Sequence, residues 1–215
     1  MTRRDGRDWR EKRDRRDTKF DILGSKVRTF QPGPPHPSRF SRKSRESRAN
    51  YEAKETTVAG TEYAQDLTFM QMALDEAARG SAIGEVPIAA VLVQDSRVLA
   101  QAHNYRELWQ DPTAHAEVIV IRAAAAVLGT WRLTDTTLYV TVEPCSMCIG
   151  AIILARVSRV VFGSWDPKAG ACGSLFDLPS EPRLNHRVAV TGGVLEQESQ
   201  ALIQKFFKEL REAPL

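Results

Sequence analysis

Apolar positions along the chain change character near residue 60. Up to about Gly60, aliphatic residues are sparse among Arg, Asp, Ser and Pro, and a breaker cluster, QPGPPHP, occupies Gln31 to Pro37. A segment with so little to bury cannot offset its own chain entropy, so residues 1–60 are expected to be a disordered extension and residues 61–215 the folded domain. The run DWREKRDRRD has almost no apolar face with which a helix could dock. From Asp66 onward the pattern is that of alternating elements. Leu67, Met70, Leu74, Ala77 and Ala78 recur at helical spacing ahead of Gly80, which predicts a first helix capped there. Pro87–Val93 and Arg97–His103 are two extended runs parted by Gln94, Asp95 and Ser96, a hairpin pattern. An Ala-rich helix follows over Thr113–Leu128, closed by Gly129, and then a β-branched strand over Thr137–Val142. A helix over Cys145–Ala155, a strand over Arg159–Phe162, an extended segment over Arg187–Val194 and a helix over Glu196–Arg211 complete the series. Such alternation implies a layered α/β sandwich around a mixed sheet.

Charge divides the chain at the same place. The net charge of +3 over 215 residues hides a leading segment, up to Val58, with 17 Lys and Arg against 9 acids, while the remainder is acidic by five charges. A polyanionic partner would be drawn to the leading segment. Its early acids, Asp5, Asp8, Glu11, Asp14 and Asp17, argue against an organellar transit peptide. Three cysteines cannot build a disulfide framework, and no apolar run precedes a small-residue cleavage site, so a reducing, cytoplasmic setting is expected. The longest apolar stretches, such as Ile149–Ala155, are far too short to span a bilayer, and no membrane partner is expected.

Two short motifs carry chemistry. His115-Ala116-Glu117 opens one predicted helix and Pro144-Cys145-Ser146-Met147-Cys148 opens another. Cys145 and Cys148, three apart, share one side of a helical first turn, and His115 adds an imidazole, making three ligands suited to zinc. Three protein ligands leave the fourth tetrahedral position to water, as in catalytic sites, whereas structural sites are usually closed by four. Two thiolates and a neutral imidazole cancel the charge of the ion, so its water is acidified less than in a three-histidine site and needs a base beside it. Glu117 is placed to take that proton, pass it to a substrate ring nitrogen and protonate the leaving amine. Residues two apart on a regular helix point in nearly opposite directions, so His115 and Glu117 share a site only where the helix meets it end-on. A thioredoxin-like redox pair, a structural zinc knuckle and a chance pairing of the cysteines are the competing readings, and a redox pair needs no upstream His and Glu. HAE followed by PCxxC matches the signature of zinc deaminases. Cys172 reads as a small buried thiol, and His103 and His186 as hydrogen-bonding residues rather than ligands; His36 falls in the extension.

Longer motifs narrow this further. DPTAHAE at Asp111–Glu117, TVEPCSMCIGAI at Thr141–Ile152 and VVFGSWDPKAGACGSLFDL at Val160–Leu178 resemble the tRNA adenosine deaminases, the bacterial wobble adenosine-to-inosine family of the cytidine-deaminase-like superfamily. EVPIAAVLV, LNHRV and the terminal FFKELR do so too, and the similarity spans about Asp66 to Arg211. The resemblance implies a three-layer α-β-α sandwich with a mixed five-stranded sheet, a homodimer, and the tRNA anticodon stem-loop as partner. It implies one zinc per subunit held by His115, Cys145 and Cys148, with Glu117 as proton shuttle and Asn104 hydrogen-bonding the flipped adenine. It further implies that Asp166, Lys168, Phe207 and Arg211 line the anticodon-loop groove, the aromatic ring stacking on a splayed base and the cations meeting phosphates. Core packing competes for Phe206 and Phe207, one of which is expected to be core. Trp165 stands where relatives commonly have a smaller or charged residue. A deaminase of a free base or nucleoside, and an RNA-binding module with an inert structural zinc, remain as alternatives; the basic extension favours RNA.

Overall fold

The computed structural model describes residues 42–212, with their side chains from Gly60 onward. Five strands form one sheet in the order β2-β1-β3-β4-β5. Strands β1 (Ala89–Gln94) and β2 (Arg97–His103) form the expected hairpin, and β1 also pairs antiparallel with β3 (Thr136–Val142). β3, β4 (Arg159–Ser164) and β5 (Ala189–Thr191) run parallel, so the sheet is mixed. The hairpin closes on Asp95 and Ser96, both at positive φ (48° and 62°), the backbone hand that matches the strand twist.

Alternation along the central strands assigns the two faces. Ala90, Leu92, Leu138, Val140, Val160 and Phe162 point to one side, where helices α3 (Ala116–Leu128) and α4 (Ser146–Ala155) bury Val120, Ala124, Ile149 and Ile152 against them. Val91, Val93, Tyr139 and Val161 point to the other, against Phe69, Met70 and Ala73 of α1 (Arg42–Ala82). On that side α5 (Glu196–Glu212) packs on β4, its Ser199 hydroxyl donating to the Thr141 carbonyl. A three-layer α-β-α sandwich results, as expected. Polar ties fasten α1 to the sheet; in one, Arg159 makes a bidentate pair with buried Asp66 (2.7 Å for both bonds), which also accepts the Tyr139 hydroxyl (3.0 Å).

Four expectations need correction. The first helix does not start near Leu67; it begins at Arg42, so residues 42–60 of the expected disordered extension are helical. That stretch contains no Pro and is rich in Arg, Lys, Glu and Ala, which favour helix even without an apolar stripe. The remainder of the extension, residues 1–41, lies outside the described residues. Gly80 is not the helix cap: it sits inside α1, where a Cβ would come within 2.9 Å of the His103 ring, so its missing side chain serves packing. The extended segment over Arg187–Val194 yields only the three-residue β5, cut short by Gly192 and Gly193 and by Leu195 at φ 52°. A four-residue helix, α2 (Arg106–Trp109), occupies a stretch with no anticipated element. Among the described residues no helix is long and apolar enough to cross a membrane.

Candidate active site

Both motif helices meet the site end-on. His115 is the N-cap of α3 and Cys145 the N-cap of α4, each with extended backbone (φ −78°, ψ 146° and φ −72°, ψ 173°). Their side chains therefore project ahead of the helices, while Glu117 and Cys148 follow in the first turns. This resolves the opposed directions of His115 and Glu117, since only Glu117 stands on the helix proper. Local chemistry enforces the geometry. Asp111 Oδ1 accepts the backbone N–H and the hydroxyl of Thr113 (both 2.7 Å), making a turn that feeds into His115. Pro144 biases Glu143 toward extended backbone and delivers Cys145 at the strand end.

The structure brings together the three expected ligands. Sγ of Cys145 and of Cys148 lie 3.8 and 3.5 Å from Nδ1 of His115, and the three donor atoms are all within 4.8 Å of one another. A tetrahedral zinc with bonds of about 2.0 to 2.3 Å requires N···S edges of about 3.6 Å, so the triad fits that ion. The Cys145 thiol is pulled down to about 4 by hydrogen bonding from Cys148 and His115, which outweighs its burial. That same contact, with burial, pushes Cys148 up. A divalent cation at this place would favour both sulfurs as thiolates. Glu117 is 3% exposed and its carboxyl is raised above the ordinary carboxylate range by burial, and its Oε2 is buried with no hydrogen-bond partner. A buried carboxylate oxygen left free beside three metal donors suits a group that exchanges protons.

Asn104, 2% exposed, stands directly over α3: its Oδ1 accepts the Ala116 N–H at 2.9 Å. A backbone N–H can pair only with the oxygen, so the amide NH₂ is the group left for a substrate. One lone pair of its oxygen is thus engaged by the helix start.

Asp166, Lys168 and Phe207 line one groove of about 440 Å³ together with Trp165, Gln200 and Gln204. The groove does not include the ligand triad. The two meet through Glu143, which accepts the Asp166 N–H at 3.0 Å. Oδ1 of Asp166 is occupied by the backbone N–H groups of Lys168 (2.9 Å) and Ala169 (3.3 Å), so this side chain shapes its own turn as well as facing the groove. Arg211 is exposed one helical turn beyond Phe207 and is not among the lining residues. Phe206 is half-buried and Phe207 exposed, so neither is core as expected of one of them; the rings meet edge-on at 5.4 Å. Trp165 lines the groove edge-on to Phe162 (4.7 Å). Cys172 is buried, and burial pushes its thiol up to about 12, while His186 donates to the Val157 carbonyl at 2.7 Å; both match their readings. His103 is likewise hydrogen-bonded, to Glu76.

Sequence reasoning missed Glu143. This residue, 3% exposed, takes backbone N–H groups from Asp166, Cys172 (2.8 Å) and Ser174 (3.0 Å) and the Ser174 hydroxyl. Burial works against its charge, but these bonds outweigh it and hold its carboxyl below the ordinary range. Around it the 170–174 loop closes on the ligand motif, with Ala171 N–H donating to the Pro144 carbonyl (2.8 Å). Gly170 must lack a side chain, since a Cβ there would lie 2.2 Å from the Glu143 carboxylate. The available signal was an acid ending an apolar strand immediately before a ligand pair, which has to be satisfied by nearby donors.

Known proteins resemble this chain in sequence and fold. The model of the MafB19-like deaminase family matches residues 64–211. A tRNA-specific adenosine deaminase of Bacillus subtilis is 52% identical over 147 residues, 68% of this chain and 91% of the relative; its Haemophilus influenzae counterpart is 44% identical over 148 residues, 68% and 86%. The chain belongs to the tRNA-specific adenosine deaminases. A solved structure from a study of A-to-I editing by tRNA:A34 deaminases superimposes with a TM-score of 0.61 at 46% identity, covering 63% of this chain and 98% of that one. The fold extends more widely than the family: a guanine deaminase of Nitrosomonas europaea has a TM-score of 0.55 at 24% identity, over 65% and 83% of the two chains. The family model's match leaves residues 1–63 outside it.

Proposed function

We propose that this protein hydrolytically deaminates adenosine to inosine at the wobble position of tRNA, in the cytoplasm, as a homodimer with one zinc ion per subunit. The observation that carries the reading is the free, buried Oε2 of Glu117 beside the His115, Cys145 and Cys148 donors, at the point where two helix N-termini converge. A module with an inert zinc has no use for a buried, unsatisfied carboxylate there, whose desolvation is costly. Relatives named for tRNA adenosine deamination supply the substrate class.

His115, Cys145 and Cys148 hold the zinc, which supplies the Lewis acidity that makes water nucleophilic at neutral pH. The Asn104 amide NH₂ donates to a ring nitrogen of the flipped base and orients it. Glu117 Oε2 accepts the proton of the attacking water, delivers it to the ring nitrogen next to the reacting carbon, and returns a proton to the departing amine. One water is consumed and one ammonia released. Burial raises the Glu117 carboxyl, which favours its holding the proton between the two transfers. The groove lined by Asp166, Lys168 and Phe207 takes the rest of the anticodon loop, and Arg211 adds a phosphate contact at its end. Exposed apolar side chains on α3 and α4, Val127, Met147 and Leu154, support a second subunit covering that layer.

Competition decides the substrate class. The purified protein should form inosine in a tRNA bearing wobble adenosine and leave free adenosine, guanine and cytidine largely unchanged at equal concentration. Turnover of free guanine or cytidine with no inosine in the tRNA would replace the proposal with a free-base or nucleoside deaminase.

A further inference from the structure

We propose that Trp109 and Tyr105 form a stacking platform for an unpaired base of the substrate RNA, next to the nucleotide that enters the active site. This rests on the tRNA reading above. Three rings form a ladder: His103 and Tyr105 stack with centroids 4.5 Å apart and planes 22° apart, and Tyr105 and Trp109 stack at 4.4 Å and 20°. The ladder is anchored at its buried end, where Nδ1 of His103 pairs with Glu76 Oε1 at 2.8 Å. It ends in Trp109, 52% exposed, whose inner face is covered by Tyr105 and whose outer face has no partner ring among the described residues.

The platform is held rigidly. Glu85, 1% exposed, accepts the backbone N–H groups of Glu107 (3.3 Å) and Leu108 (2.7 Å), fixing α2 from beneath. Gln110 ends that helix in the left-handed conformation, and the Asp111–Thr113 turn closes the lobe. A large aromatic face kept both exposed and immobile loses little entropy on stacking, which is the property of a preorganised binding surface.

Its position selects the occupant. Tyr105 follows Asn104, whose Oδ1 holds the start of α3, and the Tyr105 N–H donates to the Ala114 carbonyl at 3.0 Å, one residue before His115. The ladder therefore rises from the strip of chain that positions Asn104 and His115. An RNA strand that delivers its adenosine beside Asn104 carries the neighbouring nucleotides past this lobe, with Arg106 of α2 exposed to phosphate. Unpaired RNA bases stack on such rings whatever their identity. A four-residue helix is also too small to carry the roughly 800 Å² per partner of a stable protein interface, whereas one ring suffices for one base.

The test uses the full-length, zinc-loaded protein and an anticodon stem-loop RNA with wobble adenosine. Trp109→Ala should raise Kd about 5- to 150-fold, the cost of one lost base–aromatic stack, with zinc content and thermal midpoint unchanged. Trp109→Phe should keep most of the affinity, and Trp109→Leu, which covers Tyr105 without a π-face, should bind like the alanine variant even if the latter is unstable. One abasic substitution beside the wobble position should cost as much as Trp109→Ala, and the two together no more than either alone. Unchanged affinity in the Leu or Ala variant, or losses that add with every abasic position, would overturn the platform. So would a loss of self-association in place of RNA binding, which would make Trp109 a protein contact. Absence of inosine from the wild-type protein would instead strike the tRNA reading itself.

Discussion

Replacing Glu143 tests how far the proposed zinc site depends on a residue outside the His115, Cys145 and Cys148 group. Its Oε1 accepts N–H groups from Cys172 and Ser174, and its Oε2 those of Asp166 and the Ser174 hydroxyl. Bonds to a charged acceptor contribute about 1.5–3 kcal/mol each, but four of them sharing one side chain do not add, and breaking such a network costs about 3–5 kcal/mol. Glu143→Ala should therefore lower stability by about that amount. Glu143→Gln keeps one oxygen for Cys172 and Ser174 but turns an NH₂ against the Asp166 N–H, leaving one unmet donor and a smaller cost of about 1–3 kcal/mol. For a chain of this size these losses translate to thermal-midpoint shifts of about 2–4 °C per kcal/mol. Since the Cys172 loop closes on Pro144 and Cys145, zinc affinity should fall about 10- to 100-fold in the alanine variant, as when residues supporting metal ligands are removed. The sign with pH follows from the depressed carboxyl: its stabilisation is present above the ordinary Glu range, near 4.3, and is lost as pH falls through the lower folded value, so wild type and Glu143→Gln should converge in acid. Denaturant unfolding over pH and a competitive zinc chelator read both effects. An alanine variant within about 0.5 kcal/mol of wild type, binding zinc equally tightly, would refute the reasoning.

Other residues separate the remaining roles. Glu117→Ala should fold and hold zinc but lose at least about 100-fold in deamination, whereas Cys148→Ala should lose zinc and stability, as metal analysis alongside single-turnover assays would reveal. Asn104→Asp retains an acceptor for the Ala116 N–H but no amide donor, so its thermal midpoint should exceed that of Asn104→Ala while both turn over poorly; wild-type turnover in the Asp variant would remove Asn104 from base recognition. Deleting residues 1–41, which carry a net charge of +6, should weaken tRNA binding at low salt and flatten its salt dependence without altering zinc content, and an unchanged salt slope would exclude a role in capture.

Much of the architecture was legible because the central strands are short, continuously apolar or β-branched runs and α3 ends on a strong signal. Gly129 is the left-handed cap of α3, as its position after Leu128 implies. The candidate metal-holding group was legible because His115, Cys145 and Cys148 stand out by type and spacing, and the fold brings their donor atoms within 4.8 Å of one another. What could not be read was how non-local partners use a residue. Gly80 resembles a helix cap in sequence, yet its role is set by the ring of His103 across the layer. Glu143 and Glu85 look like ordinary acids, and only folding brings to each the backbone N–H groups that justify burying a charge. Asn104 is a marked residue of its motif, but the commitment of its oxygen to Ala116 depends on where α3 starts, which spacing sets only to within a residue or two. The helical continuation of α1 back to Arg42 was hidden because hydropathy registers burial, and a helix of Arg, Lys, Glu and Ala needs none to form as an extension of a docked one.

The central claim, that the triad and Glu117 together deaminate wobble adenosine, is tested most directly by titrating zinc into the metal-stripped protein and measuring single-turnover inosine formation in an anticodon stem-loop. The account predicts negligible inosine without metal, a linear rise to one zinc per chain and a sharp break there, with the Glu117→Ala protein taking up the same single equivalent while remaining inactive. Inosine formed at full rate by the stripped protein, or by the zinc-loaded Glu117→Ala variant, would contradict it.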